Sequence, residues 1–320
     1  MTPEVVGTQL SDRVRAAFPG RSVGSLRTLA GGHSGLTYTV DVGEHRYVVK
    51  AVPPAERPVG RNDMLRQARV LRALAGTPVP VPAVVVVDDA QPAWFAMEFV
   101  DGAAVEPVLD EHDLPGELAA VRMIGVAQVL RRLHDLPTAA LPSDAPAPRD
   151  AEAELAQWSR TMRAVPDELR PGSEHLLRRL AGNVPAGLPP VLVHGDFRLG
   201  NVLCRADQPV AVVDWEIWSV GDLRTDLGWF LLFTDHRNFP ALGRPVAGLP
   251  DERAVLDAYL DGAAAPPALA WFGALCRMKM AAIMGHNLRR HREGRIHDPD
   301  QERLPPTIAA MIRSAGDLLE

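Results

Sequence analysis

The first hundred positions alternate at short intervals between apolar or β-branched residues and polar ones. Residues 36–42 (LTYTVDV) and 46–52 (RYVVKAV) carry this pattern between glycine or turn residues, which predicts strands. SLRTLAGG, PAVVVVDD and PAWFAMEFV read the same way. One stretch breaks the rhythm. Over residues 63–75, apolar Met64, Leu65, Ala68, Leu71 and Leu74 recur at the spacing of a helix face. From Leu114 onward the period is helical, with Leu118, Val121, Ile124, Gly125, Gln128, Val129 and Leu133 near one face. LPSDAPAPRD, residues 141–150, reads as a proline-rich loop. Two strands, VLVHGD and VAVVDW, then interrupt the helices, which resume from about Leu223. No internal repeat is visible. The pattern predicts an α+β chain in two lobes, a small β-rich N-lobe over 1–100 and a larger helical C-lobe over 103–320. The joint falls at 97–102, and the cleft between lobes is where a site is expected.

Composition narrows the function classes. The 320 residues suffice for about two domains or one large two-lobed one. Aromatics at 5% speak against a stacking-based nucleic-acid binder, and a net charge of −6 against non-specific DNA binding. Two cysteines, Cys204 and Cys276, cannot build a disulfide framework or a four-thiolate zinc site, so a reduced cytoplasmic setting is expected. No basic segment followed by an apolar run opens the chain, and no apolar stretch approaches the length of a membrane span. The acidic charge concentrates in residues 101–276, with 25 acidic and 15 basic side chains.

The strongest chemical signal is HGDFRLGNVLCRADQPVAVVDWE, residues 194–216. Asn201 follows Asp196 by five positions, and Asp214 follows Asn201 by thirteen. Protein-kinase catalytic loops space an Asp and an Asn in this way, with a magnesium-binding Asp beyond a short hairpin. Phosphoryl transfer needs an acceptor for the attacking hydroxyl's proton and oxygen ligands for Mg²⁺ on the nucleotide phosphates. The spacing therefore predicts Asp196 as base and Asn201 and Asp214 as metal ligands. Upstream, GGHSGLTY offers Gly31, Gly32, Ser34 and Gly35 as a loop whose backbone can approach phosphates. Lys50, ending the strand YVVK, is expected on the α- and β-phosphates. Glu98, Phe99 and Val100 form a hinge candidate whose backbone would read adenine.

These segments resemble the aminoglycoside phosphotransferase and choline kinase family, with DWE in place of the protein-kinase DFG. GGHSGLTY, RYVVK, LAGTPVPVP, AMEFVDG, HGDFRLGN, DWEIWSVGD and RTDLGWFL carry the resemblance over nearly the whole chain. It is closest to the branch that includes kinase-like domains fused to acyl-CoA dehydrogenases. The resemblance implies a protein-kinase-like fold and a Mg²⁺-dependent kinase using ATP or GTP. Its acceptor would be a small-molecule hydroxyl, on an aminoglycoside-like compound, another metabolite or a hydroxyacyl thioester. The protein would act as a monomer or homodimer, with neither nucleic acid nor membrane as partner. In such loops His194 orients backbone near the metal-binding Asp. Arg198 is expected to touch the transferred phosphate, and Glu216 to reach a second metal or fix the loop. Asp222 is expected to cap the next helix and Asp226 to steady the catalytic loop.

One position departs from the family. The phosphate lysine normally pairs with a glutamate on the next helix, and here Gln67 stands in that place. An amide can hydrogen-bond an ammonium but brings no charge. Either activity tolerates this, or another carboxylate substitutes, or the chain is a weakened, nucleotide-binding pseudokinase. A metal-dependent hydrolase built on His194, Asp196 and Asp214 is a further rival. Finally, residues 277–295 carry six basic residues and one acid. On a helical wheel Met280, Ile283, Met284 and Leu288 form an apolar arc, with Arg277 and Asn287 inside or beside it as candidates to line the acceptor site.

Overall fold

The computed structural model describes residues 3–29, 36–52 and 63–320, with side chains from residue 9. The glycine-rich candidates Gly31, Gly32, Ser34 and Gly35 lie outside the described residues. Helix α1 (Pro3–Ala17) precedes the sheet strands β1 (Arg27–Thr28), β2 (Leu36–Val42), β3 (His45–Ala51), β4 (Val84–Asp88) and β5 (Trp94–Glu98). These pair antiparallel in the order β1-β2-β3-β5-β4. The alternating pattern of residues 36–42 and 46–52 thus becomes a hairpin, Leu36 opposite Ala51.

Helix α1 falls in a segment for which the hydrophobic pattern predicts no element. Its Leu10 and Val14, with Phe18 just past its end, recur every four residues and pack on Val40, Val42, Tyr47 and Val49 of the sheet. Helix α2 (Met64–Leu74) matches its prediction, and Asp63 caps it by accepting from Arg66 N–H at 2.9 Å. It buries Met64, Ala68, Leu71 and Leu74 in the core that also holds Val52 and Phe95.

Beyond the sheet the chain is helical: α3 (Gly116–His134), α4 (Ala151–Arg163), α5 (Ser173–Gly182), α6 (Arg224–Leu232), α7 (Glu252–Leu260), α8 (Leu269–Arg292) and α9 (Pro305–Asp317). This is the protein-kinase-like two-lobed α+β fold. Helix α3 sits where expected but rotated. Val121 and Gln128 face solvent, while Ala119, Met123, Val126, Ala127 and Leu130 are buried. Small alanines let α3 pack closely, so the larger valine did not mark the inner face. The two strands VLVHGD and VAVVDW do not pair with each other. β6 (Val191–Val193) pairs with β9 (Ser219–Gly221), and β7 (Val202–Arg205) with β8 (Gln208–Val212). Among the described residues no helix is long and apolar enough to cross a membrane.

Candidate active site

Two short ladders place the chemistry. The β6 strand ends at Val193, and the chain turns through His194, Gly195 and Asp196. Gly195 has φ +88°, and a Cβ there would lie 2.8 Å from the Ile217 carbonyl oxygen, so the turn requires glycine. Asp226 of α6 holds the turn. Its fully buried carboxylate accepts the N–H of His194 at 2.6 Å and of Gly195 at 2.8 Å. Burial alone would raise this carboxyl, but the nearby His134 and His194 and the backbone donors outweigh it and hold it below the usual carboxylate value. Both expectations for this loop hold. His194 Nε2 lies 2.9 Å from the carbonyl oxygen of Val213, next to Asp214, and His194 Nδ1 accepts the N–H of Asp196. With both ring nitrogens so committed, His194 is a poor metal ligand, against a hydrolase built on it. Asp222 accepts the N–H of Arg224, the first residue of α6, and makes a buried ion pair with the same side chain at 2.6 Å.

Asp196 is fixed at both carboxylate oxygens. Trp229 Nε1 donates to Oδ1 at 2.7 Å and Asn201 Nδ2 to Oδ2 at 2.9 Å. Asn201 closes a short 3₁₀ turn (Leu199–Asn201), and the β7–β8 hairpin returns the chain beside it. There the Val213 N–H donates to the Asn201 carbonyl. Asn201 and Asp214 thereby become neighbours although twelve positions lie between them. Asp214 itself is left-handed, at φ 64° and ψ 51°, a conformation Asp tolerates better than most side chains.

Lys50 comes from the facing lobe. It shares the strand face of Val52, which packs on α2, and its Nζ donates to Gln67 Oε1 at 3.0 Å. The same ammonium lies 3.6 Å from Asp214 Oδ1 and 3.6 Å from Glu216 Oε1. Gln67 therefore does face Lys50, and Asp214 and Glu216 of the DWE segment place further oxygens beside the ammonium. Burial, reinforced by the Asp214 charge, pushes the Glu216 carboxyl up to about 8 despite Lys50.

A cavity of about 330 Å³ opens over Asp196 and Arg198, walled by Leu109, Ile217, Phe233, Met280 and Ile283. Arg198 Nε is 3.6 Å from Asp196 Oδ1. Three side chains at or beside this cavity were given no role from the sequence. Glu106 is fully buried, accepts the Gly200 N–H at 3.1 Å and lies 3.7 Å from Arg198. Burial raises its carboxyl to about 8, despite Arg198 and the Gly200 N–H. A lone acid in the apolar run AAVEPVL was its signal. Trp229 stood in RTDLGWFL without a role, and Lys279 passed as one of a basic stretch.

Arg277 is not brought to Asp196. It lines a separate cavity of about 520 Å³ with Asp235, Asn238 and Glu252. Helix α8 is buried on nearly all sides, so a wheel with one apolar arc misplaced the inward cation. Lys279, two residues on and about 200° around the axis, is the one that reaches the Asp196 cavity. Asn287 is half-buried and is not among the residues lining either cavity. At the hinge, Glu98 N–H donates to Ala83 and Phe99 N–H to Arg46.

A lysine on a sheet strand facing an Asp–Asn–Asp constellation across a cleft defines a kinase-type phosphotransferase. Residues 25–272 match the sequence profile of the phosphotransferase enzyme family, and the chain belongs to that family. Among curated proteins it is 25% identical over 306 residues to acyl-CoA dehydrogenase family member 10 of Mus musculus, covering 89% of this chain and 28% of that one. Family member 11 of the same species is 26% identical over 322 residues, covering 93% and 40%. The chain thus spans well under half of these relatives. Among solved structures, a provisionally assigned aminoglycoside phosphotransferase from Ralstonia eutropha superposes with a TM-score of 0.78 at 21% identity, over 97% of this chain and 98% of that one. The GDP complex of aminoglycoside 2′-phosphotransferase-IIIa gives 0.66 at 15% identity, over 97% and 99%. Both share the fold.

Proposed function

We propose that this chain transfers the γ-phosphate of ATP or GTP to a hydroxyl of a small molecule, with Asp196 as general base. The observation that carries this is the doubly held Asp196 carboxylate, fixed by Trp229 and Asn201 at the floor of a cavity large enough for a small acceptor. A base must lie within hydrogen-bond reach of the proton it accepts, and of the two carboxylates lining the cavity, Asp110 and Asp196, Asp196 is the one that Trp229 and Asn201 fix. As the acceptor oxygen bonds to phosphorus and the bond to the leaving diphosphate breaks, the hydroxyl proton passes to Asp196. Arg198 steadies the transferred group.

On the nucleotide side, Lys50 contacts the phosphates, oriented by Gln67, Asp214 and Glu216. The hinge over Glu98, Phe99 and Val100 receives the base by backbone groups other than the Glu98 and Phe99 N–H, which donate to Ala83 and Arg46. The donor set suits Mg²⁺. Asn201 spends its Nδ2 on Asp196 and keeps Oδ1, and Asp214 adds a carboxylate, both hard oxygen donors. Bound there, Mg²⁺ would neutralise phosphate charge during transfer. The apolar walls of the cavity, with only Asp110 added to Asp196 as acid, favour an acceptor with an apolar body over a polycationic one.

The test is transfer of labelled phosphate from ATP and GTP to a panel of hydroxylated compounds by wild type and Asp196→Ala. Transfer should fall by about 10²–10⁴-fold in the variant while nucleotide binding persists. Wild-type turnover in the variant would remove Asp196 as base.

A further inference from the structure

Behind Asp196 lies a stack of side chains that the phosphotransfer reading leaves without a task. Lys279 is 3% exposed. Its ammonium donates to the carbonyl oxygen of Gly195 at 2.5 Å, on the very peptide that leads into Asp196. The same ammonium sits 3.9 Å from the ring centroid of Trp229 and 5.2 Å from that of Trp158. Trp229 in turn donates its indole N–H to Asp196 Oδ1. One buried cation therefore touches both supports of the base, the backbone before it and the indole that grips its carboxylate.

The chemistry of that placement is specific. A cation over an indole face draws electron density toward itself, which makes the ring N–H a stronger donor. The hydrogen bond from Trp229 to Asp196 gains directly. The bond to Gly195 closes the remaining freedom of the turn, since Asp226 already holds the Gly195 N–H and His194 the Asp196 N–H. Burying an ammonium is costly, and a methionine would fill the space between two tryptophans without that cost.

We infer that Lys279 is a positioning residue for Asp196, acting through the Gly195 carbonyl and the Trp229 indole. This rests on Asp196 being the base, and the experiment separates the two. Lys279→Met, Lys279→Arg, Trp229→Phe and Asp196→Ala are compared with wild type, using Mg·ATP and Mg·GTP with water as acceptor. The readouts are kcat, nucleotide Kd and hydrogen exchange at the Trp229 indole N–H. In Lys279→Met, kcat should fall about 10- to 100-fold, as for displaced catalytic groups. Nucleotide Kd should stay unchanged, and the indole N–H should exchange at least about tenfold faster, a local opening rather than global unfolding. Lys279→Arg should recover part of kcat.

Wild-type kcat and indole protection in Lys279→Met, with turnover lost in Asp196→Ala, would overturn the inference and leave the base assignment standing. Turnover retained in Asp196→Ala would overturn the base assignment and this inference with it. Should Lys279→Met not fold, Lys279→Gln decides by the same kcat-against-Kd split. If turnover with water is too slow to follow, indole exchange decides alone.

Discussion

Asp226→Asn tests what holds the catalytic turn. Both carboxylate oxygens are used, Oδ1 by the Gly195 N–H at 2.8 Å and Oδ2 by the His194 N–H at 2.6 Å. Asparagine keeps the shape but offers one acceptor, and its NH₂ would face a backbone N–H, donor against donor. Hydrogen bonds to a charged group contribute about 1.5–3 kcal/mol each, and disrupting a buried charged network costs about 3–5 kcal/mol. For a chain of this length the unfolding entropy is roughly 0.7 kcal/mol per kelvin, so the melting temperature should drop by about 4–8 °C. The acid limb should change as well. The folded carboxyl lies below its unfolded value, so its stabilisation is present above the unfolded pKa and disappears as pH falls through the folded one. The variant should lose that part of the acid dependence. Calorimetry across pH 3–7 reads both, and amide exchange at His194 and Gly195 localises the effect. A variant melting within a degree of wild type, with those amides still protected, would refute the claim that this carboxylate fastens the turn.

Other outcomes follow from the same geometry. Glu106→Gln keeps an oxygen for the Gly200 N–H but cannot ionise. The folded carboxyl is raised to about 8, so wild type loses stability as pH rises from about 4.5 to 8, and the variant should gain on it by a kcal/mol or more at pH 9 relative to pH 5, measured by urea unfolding. Asp214→Asn should raise the Mg²⁺ needed for half-maximal transfer, and an unchanged titration would argue against it as a metal ligand. Gln67→Glu should change nucleotide affinity little, because Asp214 and Glu216 already place oxygens 3.6 Å from Lys50 and a new carboxylate beside them brings its own desolvation cost. A double-mutant cycle with Lys50→Met should still show coupling, given the 3.0 Å contact.

Sequence alone determined what depends on neighbours along the chain. Alternation specified β2 and β3, a 3.6-residue period specified α2, and fixed spacing marked Asp196, Asn201 and Asp214, because a hairpin of set length returns one beside the other. Tertiary structure decided what depends on contacts between distant segments. Glu216 reaches Lys50 across 166 positions and Lys279 reaches Gly195 across 84. No local period encodes such meetings. Charge patterning even pointed the wrong way, since a lysine among arginines reads as a solvated face, and a helix buried all round has no single apolar arc to reveal which cation turns inward. Burial of a charge is legible only once the groups that satisfy it are in place: for Lys279 a backbone carbonyl and two indole faces, for Glu106 one peptide N–H beside an arginine.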